Sequence, residues 1–202
     1  MISTSHRLLF IHVPKTGGNS VASLLDPISD DDLTTRRTRQ DGVDRFGLQN
    51  EFGLRKHATV AEWQEALGSE VFPQYRSFSV VRNTWDRLIS LFFSPGGGRT
   101  TWDEADFSDF VSQARSALDF ISVKTAAGPE VVVDSLLRFE TLAEDYYDFA
   151  SRAGLPEKYR QLPHRNRGIV DTSSLYSREL VALVGGLFAA EIELFGFSPP
   201  VV

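Results

Sequence analysis

Leu8-Leu9-Phe10-Ile11-His12-Val13 runs directly into Pro14-Lys15-Thr16-Gly17-Gly18, and Asn19-Ser20-Val21-Ala22-Ser23-Leu24-Leu25 follows. The apolar run before a Pro-Gly turn reads as a short buried strand, and the stretch after the glycines as a helix over 19–25 that stops before Pro27. Strand, glycine turn and helix together form the architecture of a phosphate cradle. Glycines let backbone N–H groups approach an anion, and a helix N-terminus adds partial positive charge. Thr16, Asn19 and Ser20 add side-chain donors, and Lys15 a mobile full charge. An ordinary strand-to-helix turn would have the same outline. A Walker A loop, G-x-x-x-x-G-K-S/T, places its lysine after the glycines, whereas Lys15 comes before them.

The same alternation continues outward. Thr59-Val60-Ala61-Glu62 has the spacing of a capping box and opens a helix ending near Gly68. Ser77 to Val81 reads as a second buried strand. After it, Trp85, Leu88, Ile89, Phe92 and Phe93 form one helical stripe. A third helix would carry Phe107, Phe110, Val111, Ala114, Leu118 and Ile121. Strand material is expected within Val131 to Phe139, chiefly over Ser135 to Phe139, and Thr141 to Glu144 again has capping-box spacing. One last helix would show Leu180, Leu183, Val184, Leu187, Phe188 and Ile192 on a face. Strands alternating with helices predict an α/β domain with a mainly parallel sheet, and no linker or repeat divides residues 1–202.

Composition narrows the function classes. The 202 residues carry a formal net charge of -6 and no cysteine, so disulfides, thiolate metal sites and cysteine nucleophiles are excluded. The four histidines (6, 12, 57 and 164) are scattered and predict no metal site. An acidic balance argues against nucleic acid or anionic membrane as a partner. No run of about 18 apolar residues and no secretory leader stands out, which predicts a cytoplasmic protein.

A second candidate site is Arg82 at the end of the second strand, with Ser90 eight positions on, off the apolar stripe. An arginine at the C-terminal edge of a parallel sheet can reach a ligand there. Read alone, the pair is equally a surface ion-pairing arginine and a solvated serine.

Taken together, the two sites resemble the sulfotransferases. The string LLFIHVPKTGGNSVASLL (8–25) resembles their 5′-phosphosulfate loop, and FSVVRNTWDRLISLFF (78–93) their 3′-phosphate-binding strand and helix. The wording is nearest the carbohydrate-type, family 2 branch, with H-x-P-K-T-G-G-T-S and V-R-N-P-x-D-R-L-x-S. The likeness runs on through KHATVAEWQEALG, DSLLRFETLAEDY, LPHRNRG and ELVALVGGLFAAEIELFGF. Asn19 stands where threonine is usual, and Thr84 where proline is. Thr84 is expected to keep a capping hydroxyl.

The resemblance implies a P-loop-like three-layer α/β/α fold. It also implies 3′-phosphoadenosine 5′-phosphosulfate (PAPS) as donor, without a metal, and transfer of a sulfuryl group to a hydroxyl of a glycan or small metabolite. Lys15 would neutralise the departing oxygen. The amides of Gly17 and Gly18 with Thr16, Asn19 and Ser20 would hold the 5′ side, and Arg82 and Ser90 the 3′-phosphate. Arg165 and Asn166, in a basic loop, would touch the nucleotide or remain solvated.

His57, just before the Thr59 cap, is the candidate base, or else a residue that orders its loop. A helix N-terminus nearby favours the neutral imidazole. His12 reads as a buried structural histidine. Arg36, Arg37, Arg39, Arg45, Arg55 and Lys56 could meet an anionic acceptor, but Asp30, Asp31, Asp32, Asp41 and Asp44 dilute them toward a solvated loop. Two other readings remain: a P-loop kinase or hydrolase, with Val131 to Asp134 mimicking a Walker B strand, and a nucleotide-binding module without catalysis.

Overall fold

The computed structural model describes residues 1–31, 49–94, 99–162 and 172–202. Two compact units emerge. The first takes in residues 1–81 and 117–164. Its sheet has the order β1 (Ile2–Ser3), β2 (Leu8–Ile11), β3 (Arg76–Val81), β6 (Ser135–Arg138). β1 is antiparallel to β2, while β2–β3 and β3–β6 are parallel, so the sheet is mainly parallel as expected. Phe10 pairs with Phe78, and Val81 with Arg138. All four residues of β2 and five of the six in β3 are buried; β2 reads as an unbroken apolar run, whereas β3 alternates Ser77 and Ser79 with Phe78 and Val80, the two hydroxyls donating to Asp134 and to the Ile11 carbonyl.

Helices α1 (Gly18–Leu25), α2 (Val60–Leu67), α5 (Leu118–Ile121) and α6 (Leu142–Arg152) belong to this unit. Its core joins Phe10, Val21, Leu25, Phe78, Val80, Leu137, Tyr146 and Phe149. The Phe78 ring centroid lies 4.9 Å from that of Phe10 and 4.3 Å from that of Phe149. A hairpin of β4 (Ser122–Thr125) and β5 (Gly128–Val131), not foreseen from sequence, precedes β6. Its residues are half-buried or exposed, so no apolar period marked it.

The second unit takes in residues 82–116 and the chain from 165 onward. It holds α3 (Thr84–Phe92), α4 (Glu104–Gln113), α7 (Arg178–Leu187) and α8 (Ala189–Phe195). Phe92, Phe107, Phe110 and Tyr176 form its aromatic core.

Several local expectations are corrected. The third helix breaks at Ala114, whose ψ is 140°, and resumes as α5. The break frees the Arg115 carbonyl and Ser116 hydroxyl to bond Arg87 and Glu191. The last helix breaks at Phe188 (φ -114°, ψ 22°), after Gly185 and Gly186, two poor helix formers. The break turns Glu191 inward, while Leu187 is exposed. Phe93 is the C-cap of α3 and lies at the surface. Thr141 makes no side-chain cap: its carbonyl takes the amides of Glu144 and Asp145, and the Asp145 carboxylate is drawn to the Arg138 amide.

Candidate functional site

The cradle follows β2 at the carboxyl edge of the parallel strands. Lys15 has φ 68°, a left-handed conformation that costs a non-glycine residue on the order of 1–3 kcal/mol. Such strain persists where the surroundings impose it, and it gathers at ligand clamps. Gly17, the N-cap of α1, is also left-handed at φ 83°. The structure explains both glycines from beneath as well. A Cβ on Gly17 would stand 2.8 Å from the Phe139 ring, and one on Gly18 would stand 2.5 Å from His12 Cδ2 and 2.8 Å from the tip of Phe10. The loop is thus pressed onto β2 and the segment after β6.

The side-chain donors divide. Thr16 is fully buried, and its hydroxyl donates to the Val13 carbonyl at 2.9 Å, closing the loop on itself. Ser20 is half-buried, and its amide donates to Gly17 at 3.0 Å. Asn19 is exposed, and its Oδ1 accepts from Lys56 Nζ at 3.0 Å.

His57 lies in the same unit as the cradle. Its Nδ1 is 2.8 Å from the His12 carbonyl oxygen. A carbonyl can only accept, so Nδ1 carries the proton and Nε2 the lone pair. Burial, above all, pushes the imidazole down to about 4. The bond to the His12 carbonyl opposes that shift, and the charges of Lys56 and Lys15 add to it. Burial rather than the helix end therefore keeps His57 neutral. His12 is 5% exposed and sits with its ring centroid 5.2 Å from Phe10 and 4.7 Å from His57. Burial, then the His57 charge, holds it well below the usual imidazole range. Glu62 completes the expected capping box: its Oε2 accepts from the Thr59 amide at 2.7 Å, and its own amide donates to Thr59 Oγ1. Of the acidic residues expected in a solvated loop, Asp31 is buried and accepts from Asn50 Nδ2 at 3.1 Å.

In the second unit, Arg82 is half-buried where the chain leaves β3, and Ser90 half-buried on α3. Asn83, not Thr84, caps that helix, its Oδ1 accepting the Trp85 amide at 3.1 Å. The Thr84 hydroxyl instead donates to Glu191 at 2.7 Å. Glu191 also receives the Ser116 hydroxyl at 2.5 Å and pairs with Arg87 at 3.4 Å, and both charged side chains are almost wholly buried. The sequence reading missed this pair. Its only signal was a glutamate in the middle of an apolar stripe. Arg165 and Asn166 lie outside the described residues, as do Arg36, Arg37, Arg39 and Arg45.

Asp134 does not behave as a Walker B aspartate. It precedes β6, and its carboxylate accepts from the amide (2.7 Å) and hydroxyl (2.8 Å) of Ser77, at the starting ends of the parallel strands. The cradle is at their opposite ends. Among the described residues no group of three or more His, Asp or Glu side chains is placed to hold a metal ion, and no helix is long and apolar enough to cross a membrane.

A model of the sulfotransferase family matches residues 1–118. That is more than half of the chain, and it takes in Lys15, His57, Arg82 and Ser90. No curated protein and no solved structure matches the chain.

Proposed function

The chain belongs to the sulfotransferase family, in its family 2-like branch, and on that premise we propose that it moves a sulfuryl group from PAPS to a hydroxyl of a carbohydrate or small-molecule acceptor. The observation that carries this reading is the cradle: a lysine held at positive φ, two glycines pressed from beneath, and the start of α1, all at the carboxyl edge of parallel strands. These parts fit a 5′-phosphosulfate. The amides of Gly17 and Gly18, with Asn19 and Ser20, hold its oxygens. Thr16 shapes the loop through its bond to Val13. Lys15 stands by the oxygen that takes the electron pair when the S–O bond to the 5′-phosphate breaks. Arg82 and Ser90 bind the 3′-phosphate. The fold is on this reading a P-loop-like three-layer α/β/α arrangement.

His57 is the base. Its tautomer leaves the lone pair on Nε2, which accepts the proton of the acceptor hydroxyl while that oxygen bonds to sulfur. Sulfuryl transfer, like phosphoryl transfer, spreads charge over oxygens that fixed donors neutralise. The kinase reading is disfavoured by the position of Asp134. The test is incubation with labelled PAPS and a panel of glycans, phenols and small alcohols. An acceptor should gain one sulfate by mass spectrometry, and a panel that stays unmodified while PAPS also fails to bind would overturn the reading.

A further inference from the structure

By sequence, Lys56 belongs to a stretch of mixed arginines and aspartates that reads as a solvated loop or a surface for an anionic acceptor. Its place in the fold is elsewhere. Nζ donates to Asn19 Oδ1 at 3.0 Å, and Asn19 is the second residue of α1, within the cradle. This contact places the ammonium at the start of α1. A second observation agrees: the charges of Lys56 and Lys15 both act on His12 and on His57. The two lysines and the two histidines therefore form one electrostatic cluster within a single compact unit. Asn19 is exposed and Lys56 half-buried.

We propose that Lys56 is a second cationic ligand of the 5′-phosphosulfate, seated at the cradle by Asn19. The proposal rests on the donor reading given above. It also gives the asparagine at position 19 a purpose: a longer polar side chain than threonine carries its oxygen out to the lysine. With Lys15 on the loop and Lys56 beside the helix start, two positive charges face an anion whose charge grows as the bond to sulfur breaks.

Three nucleotides separate this role from a structural one: 3′-phosphoadenosine 5′-phosphate, adenosine 5′-monophosphate and adenosine 3′-monophosphate, each titrated by calorimetry. Lys56→Met should weaken the two that carry a 5′-phosphate by roughly tenfold, the size of one charge-assisted contact, and leave the 3′-monophosphate unchanged. Lys56→Arg should restore most of the loss. Asn19→Ala, which removes both its own contact and the lysine's seat, should give a loss with the same 5′ selectivity, and adding Lys56→Met to it should cost less than Lys56→Met does alone. Equal weakening of all three nucleotides, or no change in any, would overturn the role of Lys56. If the unaltered protein does not bind 3′-phosphoadenosine 5′-phosphate at all, it is the donor reading that fails.

Discussion

Acidification from pH 7 to pH 5 should destabilise the protein, with His57 responsible for a measurable share. Its imidazole titrates near 6.5 in an unfolded chain and at about 4 in the fold. The folded value is depressed, so between about pH 4 and 6.5 the unfolded state binds the extra proton, and stability rises with pH across that window. A shift of this size corresponds to roughly 3 kcal/mol if the whole window is crossed, and about 2 kcal/mol of it falls between pH 7 and pH 5. His12, also depressed by burial, acts in the same direction. The perturbation is His57→Gln, whose side-chain amide can still donate to the His12 carbonyl but cannot take a proton. Urea unfolding at pH 7, 6 and 5 gives the two stability curves. Other groups that titrate are common to both proteins, so the difference between the curves reports His57 together with its effect on His12. The variant should lose about 2 kcal/mol less than the parent over the two pH units. Parallel curves would refute the buried neutral imidazole, and with it the physical basis for His57 as a base.

The same neutrality predicts that transfer stays level from pH 8 to about 5 and falls only toward about 4. His57→Gln should cost about 10²–10⁴-fold in turnover, with nucleotide affinity nearly intact by calorimetry. Lys15→Ala should lower turnover by about 10²–10³-fold and donor affinity far less, as loss of one transition-state donor does; steady-state rates and binding constants measured together distinguish this from a ground-state anchor. Arg82→Ala should erase most of a preference of at least about tenfold for 3′-phosphoadenosine 5′-phosphate over adenosine 5′-monophosphate, and Ser90→Ala part of it, by calorimetry. Glu191→Ala should destabilise by about 3–5 kcal/mol in denaturant titrations, because it strands the buried Arg87 charge and leaves the Thr84 and Ser116 hydroxyls without their acceptor.

The parallel sheet was legible because β2 is an unbroken apolar run and β3 carries Phe78, Val80 and Val81, both strands being buried almost throughout. Thr59 and Glu62 were legible because a capping box is a purely local contract between residues three apart. Thr141 and Glu144 have the same spacing and break it, since the Asp145 carboxylate is taken by the Arg138 amide at the end of β6 and the Thr141 carbonyl receives the first-turn amides. Both long helices drawn from apolar periodicity were too long for a related reason. Periodicity records which residues are apolar, but it does not register that Arg115, Ser116 and Glu191 converge on Arg87 and Thr84, and the chain bends at Ala114 and Phe188 to let them.

At the candidate site residue types were legible without their partners, and the partners decide the chemistry. Glycines 17 and 18 were read as openings for an anion; the rings of Phe139, His12 and Phe10 beneath them impose the same two residues from the other side. A substitution at Gly18 would therefore disturb the cradle through His12 even before any ligand arrives, and His12 in turn supplies the carbonyl that sets the His57 tautomer. The glycine loop and His57 are joined through one buried histidine, which a linear reading takes as structural. Lys56 shows the converse. In sequence it belongs to a stretch of arginines and aspartates that reads as a solvated loop or as a surface for an anionic acceptor; in space it bonds Asn19. A lysine stem spans several ångströms, so the element its charge serves is fixed by which oxygen it reaches, and that follows from the fold that brings residue 56 to the start of α1.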